Sequence, residues 1–107
     1  MATIIWQNTA KKQLIENITY ALAEFGETTA NRWEKDVKAV EWRLKRHSVS
    51  YPLESLLSSR QKEYRYCHVM HRRFKIIYFY DNVKDVVTIM DIWDTRMNPS
   101  ALIRRIK

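Results

Sequence analysis

Residues 73–100, RFKIIYFYDNVKDVVTIMDIWDTRMNPS, decide how this chain folds. Two apolar runs, 74–80 (FKIIYFY) and 85–93 (DVVTIMDIW), flank the polar loop DNVKD. Both are rich in β-branched and aromatic residues, which suit a pleated surface. A loop this short joins antiparallel strands as a hairpin. The second run is apolar on both of its alternating faces, so it reads as a strand covered from both sides and central in a sheet. It ends in Asp94, Thr95 and Arg96, and any extended run stops at Asn98-Pro99. A strand end holds polar side chains more firmly than a loop does. The triplet is therefore a candidate functional point.

Upstream, residues 64–70 (YRYCHVM) alternate weakly and form a third strand of the same sheet, joined to 74–80 through HRR. Before it come two helical patterns. Leu14, Ile18, Leu22 and Phe25, with Ala21 beside them, make one apolar stripe, and Asn8 or Thr9 can cap that helix. Ala30, Trp33, Val37, Val40 and Leu44 make a second stripe, with Thr28 or Thr29 as its cap. Glu34, Lys35, Lys38, Glu41 and Lys45 lie on the opposite face. Gly26, the only glycine, stands between the two where a helix end needs positive φ. Residues 3–7 (TIIWQ) read as a short first strand, and Pro52 ends any continuation of the second helix. Residues 53–63 read as a turn of helix and a loop, and a last helix begins near Pro99. The order is β-α-α-β-β-β-α. The expected fold is α+β: an N-terminal strand, a helical hairpin packed on an antiparallel sheet, and a short C-terminal helix over an edge or part of the other face, all in one domain over residues 1–107.

The net charge is +7, and it is lopsided. Residues 1–59 hold eight Lys/Arg against seven Asp/Glu, whereas residues 60–107 hold eleven against five. A one-sided positive field suits a polyanionic partner: nucleic acid, a ribosome or an acidic protein segment. Arg65, His68, His71, Arg72, Arg73, Lys75 and Arg96 all fall in this basic half, and a sheet face carrying them could hold phosphates. Cys67 is the only cysteine, so no internal disulfide forms. His47, His68 and His71 lack neighbouring ligands at metal spacing, so neither a metal nor a cofactor is expected. No apolar run is long enough for a membrane span and no signal-peptide pattern opens the chain, which reads as a cytoplasmic protein with no membrane partner.

Each candidate also has a plain structural role. Arg96 can bridge Asp94 or Asp91 and pin the strand end. Lys75 can be a solvated strand lysine, and His68 and His71 can be satisfied by backbone. Cys67 fits as a small buried apolar residue. Trp42 lies off its helix's stripe, either as an exposed interface anchor or packed under residues 53–57. The tail RRIK can be solvated, touch phosphate or line a partner's groove.

Nearly the whole chain resembles the RelE/ParE superfamily of toxins from bacterial type II toxin–antitoxin modules. The resemblance runs through NTAKKQLIENITYALAEFGETTANRWEKDVKAVEWRL and YRYCHVMHRRFKIIYFYDNVKDVVTIMDIWDTRMNPSAL. It implies a growth-inhibiting toxin of the plasmid-stabilisation type, neutralised by a cognate antitoxin and able to form a toxin–antitoxin hetero-oligomer. One branch cuts mRNA in the ribosomal A site; the other poisons DNA gyrase and is not a nuclease. For the cutting branch, the family's strand arginine falls on Lys75 and its arginine after the last strand on Arg96, both to stabilise phosphate charge. Its paired lysines fall on Tyr66 and His68, and its C-terminal tyrosine on Leu102. His68 could carry a proton; Leu102 cannot. If the chain is an enzyme, it is an endoribonuclease using Lys75, Arg96 and His68. Arg65, Arg72, Arg73, Lys75 and Arg96 are the residues expected to bind nucleic acid or target. The long hairpin favours the gyrase-poison branch. The alternatives are the ribosome-dependent endoribonuclease and a non-toxic nucleic-acid-binding or assembly protein on the same fold.

Overall fold

The computed structural model describes residues 1–106. Strand β1 (Thr3–Trp6) runs directly into helix α1 (Asn8–Phe25), which is followed by helix α2 (Glu27–Arg46). A single 3-10 turn, Ser55–Leu57, precedes β2 (Arg65–Val69), β3 (Phe74–Asp81) and β4 (Val86–Asp94), and helix α3 (Pro99–Arg105) ends the fold. The expected β-α-α-β-β-β-α order is the observed one.

The sheet order is β1-β4-β3-β2. β2, β3 and β4 are antiparallel neighbours, as their short connections require. β1 pairs parallel to β4, with Thr3 opposite Val86 and Trp6 opposite Ile89. The sheet is therefore mixed rather than antiparallel throughout. The helical hairpin supplies the long crossover that a parallel pair needs. The doubly apolar β4 lies inside the sheet between β1 and β3, with six of its nine residues buried. A bulge opposite Ile77/Tyr78 leaves Met90 without a cross-strand partner. It lets Ile89 and Ile92, three residues apart, face the same side.

That side carries the larger core, where Trp33, Val37, Val40 and Leu44 of α2 pack with Ile76, Tyr78, Val87, Ile89 and Ile92. The other face is covered by α3. Leu102 and Ile106 pack there with Leu57, Tyr64, Ile77 and Trp93. Each such fully buried aliphatic side chain stabilises the fold by about 1.5–3 kcal/mol.

The helix ends depart from expectation. Gln7, not Asn8 or Thr9, holds the position before α1, because its amide still donates to Ile89 O at 2.9 Å and the strand ladder runs up to the helix. Gly26, at φ 91°, closes α1 by donating to the carbonyls of Ala21 and Leu22 and opens α2 as well, so neither Thr28 nor Thr29 caps it. The α1 stripe is buried only in part. Ala10 and Ala21 reach the core, whereas Leu22 and Phe25 are 51% and 62% exposed.

Candidate functional site

β3 fixes where the candidate cations point. Its side chains alternate, as in any strand. Phe74, Ile76 and Tyr78 face the helical hairpin, and Ile77 faces α3. Lys75 shares the α3 face. Its Nζ donates to Glu54 Oε2 at 3.0 Å and lies 4.2 Å from the centre of the Tyr66 ring. Glu54 is only 2% exposed, and its other oxygen accepts the Leu56 amide. Lys75 thus neutralises a buried carboxylate and is not a solvated lysine. His68 stands opposite Lys75 in register, with its ring 5.3 Å from that of Tyr66. Burial, then Lys75 and Arg72, push the imidazole pKa below its ordinary value, against a weaker upward pull from Glu54. His68 is accordingly uncharged at neutral pH.

Arg96 lies on the opposite side. It lines a cleft of about 360 Å³ with Tyr20, Phe25, Trp33 and Phe74, all on the hairpin face. Its Nε and Nη2 donate to the two oxygens of Asp94 at 3.1 and 2.9 Å, and its amide donates to the same carboxylate at 2.9 Å. Hydrogen bonding from Arg96 holds Asp94 below the usual carboxylate range. Asp91 does not share this role. Lys75 and Arg96 were expected to form one cationic cluster, and the alternation of β3 separates them by the thickness of the sheet.

The charged triplet after Trp93 has a second task, visible in the β2–β3 turn. Met70, His71 and Arg72 all sit in the left-handed region, at φ 54°, 56° and 66°. For residues with side chains this costs about 1–3 kcal/mol each, so the surroundings must hold them. Asp36 Oδ2 accepts the Met70 amide at 2.9 Å, and the Arg73 carbonyl accepts both the amide and the hydroxyl of Thr95 at 3.0 and 2.9 Å. The strand end is therefore a latch for this turn, which presents His71, Arg72 and Arg73 to solvent.

The remaining candidates divide. Arg65 is tied down: it donates to Tyr51 O at 2.7 Å and lies 3.5 Å from Glu63. Tyr66, His68 and Lys75 share a face. Leu102, on the same face, is fully buried in the cluster against which Tyr66 packs. Burial pushes the Cys67 thiol up to about 12, so it is an inert core residue. Trp42 is 56% exposed beside α2's outer surface, with the Arg46 guanidinium 4.1 Å from its ring. Within RRIK, Arg104 is exposed, Ile106 is buried, and Arg105 pairs with Asp91; Lys107 lies outside the described residues.

Two buried carboxylates were missed. Asp91, 1% exposed, sits in the middle of an apolar strand and takes Arg105 as partner, leaving its Oδ2 without a hydrogen bond. Burial raises its pKa, and Arg105 only partly offsets this. Its signal was legible: a charge inside a run apolar on both faces requires a partner. Glu54 left a fainter trace, one acid within LESLL. Among the described residues, no group of three or more His, Cys, Asp or Glu side chains could hold a metal, and no helix is long and apolar enough to cross a membrane.

Comparison with known proteins bears on this geometry. Residues 4–99 match the family described as the ParE toxin of the type II toxin–antitoxin system parDE. Among curated proteins, none matches the chain. Among solved structures, a chromosomal ParDE TA system from P. aeruginosa aligns with a TM-score of 0.67 at 14% identity, covering 88% of this chain and 96% of that one. A metal-bound toxin from Helicobacter pylori aligns at 0.62 and 16% identity, covering 89% and 96%. The isolated E. coli RelE toxin aligns at 0.56 and 15% identity over the full length of both chains. At these identities the likeness is one of fold.

Proposed function

Because the chain belongs to the ParE toxin family of type II toxin–antitoxin systems, we propose that it arrests growth by binding and poisoning DNA gyrase rather than by cutting mRNA, and that a cognate antitoxin neutralises it. One observation carries the choice. Cutting needs cations and a proton carrier gathered at one phosphate. Here Lys75 and Arg96 lie on opposite faces of the sheet. Lys75 is committed to a buried Glu54, and Leu102 stands where the ribonuclease branch places a tyrosine. The exposed side chains of His71, Arg72 and Arg73, on a turn held by Asp36 and Thr95, are instead a rigid surface for a large target.

The ribonuclease reading keeps one specific point in its favour, the shared face of Tyr66, His68 and Lys75. Induction of the chain without an antitoxin separates the two. Gyrase poisoning gives DNA breaks and intact mRNA, and His68→Ala leaves the arrest unchanged. Codon-phased mRNA cleavage that disappears in His68→Ala would overturn the proposal.

A further inference from the structure

Beside the β2–β3 turn lies a groove that shares only His71 and Arg72 with the surface proposed to meet gyrase. α2 and the outer edge of β2 form the walls of an open groove of about 780 Å³. Lys38 and Arg43 line it from α2, and His71 and Arg72 from the turn. Among the described residues, Lys38, Arg43 and Arg72 have no carboxylate within ion-pair distance. The one acid in the lining, Asp36, is already engaged by the Met70 amide at 2.9 Å and by Arg32 at 3.8 Å. Two aromatic side chains, the half-exposed Trp42 and Tyr51, sit among these cations, with the Arg43 guanidinium 5.9 Å from the centre of the Tyr51 ring.

The edge itself limits what can bind. A free strand edge invites another strand, but it must offer a row of unpaired backbone groups. Here the Tyr66 amide donates to Pro52 O at 3.1 Å and the Met70 amide donates to Asp36. Outward-facing amides alternate along a strand, so only His68 between them is left to offer one. That is too little for an added peptide strand. Unpaired cations spaced along a trough, with aromatic rings between them, match a sugar-phosphate backbone whose bases can turn onto the rings. A duplex keeps its bases stacked inside and cannot use the rings. We propose that the groove between α2 and β2 binds a single strand of nucleic acid, with Lys38, Arg43 and Arg72 on phosphates and Trp42 against a base. The inference stands whether or not the chain acts on gyrase.

Fluorescence anisotropy of the purified full chain tests it, with labelled mixed-sequence oligonucleotides as single-stranded DNA, single-stranded RNA and duplex DNA, between about 50 and 200 mM salt. Either single strand, or both, should bind more tightly than the duplex, and the preferred one identifies the sugar. The triple variant Lys38→Ala/Arg43→Ala/Arg72→Ala should lose at least about tenfold in affinity and reduce the log–log salt slope by about two. Trp42→Ala should weaken binding about fivefold or more and leave that slope unchanged. All four positions are solvent-exposed, and unchanged circular dichroism and Tm confirm that the variants fold. Lys11→Ala/Lys12→Ala/Lys84→Ala removes the same charge from positions that do not line the groove and should bind as the parent does. Three results would overturn the proposal: equal loss in this control, which reduces the effect to net charge; preference for duplex; or no binding at the lowest salt.

Discussion

At the scale of single residues, the two cations singled out by the sequence differ most in what they are paired with. Lys75 answers a carboxylate that is 1% exposed at its side chain, whereas Arg96 and Asp94 meet at the surface with the arginine 65% exposed. Removing one partner of a buried pair leaves a charge that water cannot reach, while an exposed pair contributes little. Lys75→Ala should therefore destabilise the fold by about 3 kcal/mol, and adding Glu54→Gln should recover much of that loss. Arg96→Ala should cost less than about 1 kcal/mol. Urea denaturation midpoints check both. A toxicity screen of Lys75→Ala would therefore report folding rather than chemistry. The sequence showed that these residues were cationic and where they lay along the chain. It could not show their faces, because Phe74-Lys75-Ile76-Ile77 is apolar on both sides of the strand and its alternation is silent.

Among the secondary-structure elements, the hairpin joint and the last helix each depend on one backbone or side-chain feature. Gly26, at φ 91° and ψ −177°, occupies a region that is essentially restricted to glycine, yet an added Cβ would meet nothing within 4 Å. Gly26→Ala should thus cost about 1–3 kcal/mol through backbone strain alone, read as a lower Tm with unchanged helix content by circular dichroism. α3 is tethered to β4 by Arg105 and Asp91. Burial raises the Asp91 pKa, so its contribution to stability is fullest below the unfolded carboxylate value, near about 3.9, and is lost as pH rises through the folded value. Replacing it with asparagine removes that slope. The Tm of Asp91→Asn relative to the parent should climb as pH rises above about 4, on top of a constant offset from the unpaired Arg105. A difference that stays flat with pH would mean that burial does not disfavour the anion. Element order was legible because apolar periodicity is helical up to Leu44 and gives way to the β-branched and aromatic runs from Phe74 onward. The helix caps were not, because the strand ladder at Gln7 and the conformation of Gly26 outranked the Asn and Thr side chains nearby.

Over the whole molecule, the sheet separates two chemistries that share one positive sign. One face, under α3, holds Lys75 paired with the buried Glu54, with His68 beside it against the Tyr66 ring. The other side and the β2 edge present the free cations, together with exposed Trp42, Tyr20 and Phe25. The lopsided charge foretold a polyanion or a large partner, but not which surface would meet it. That depends on Glu54 and Asp36, two acids whose partners lie 21 and 34 residues away in the chain and which no local pattern marks.

The closed edge of β2 also bears on how the protein behaves in concentrated solution. Open strand borders allow identical molecules to stack into insoluble aggregates. By covering the Tyr66 and Met70 amides, the Pro52 carbonyl and the Asp36 carboxylate remove that template. Asp36→Ala exposes one of them again, and light scattering at rising concentration should show the variant clustering while the parent stays monodisperse. A side chain on α2 thus helps to keep a protein with an aromatic-rich sheet in solution.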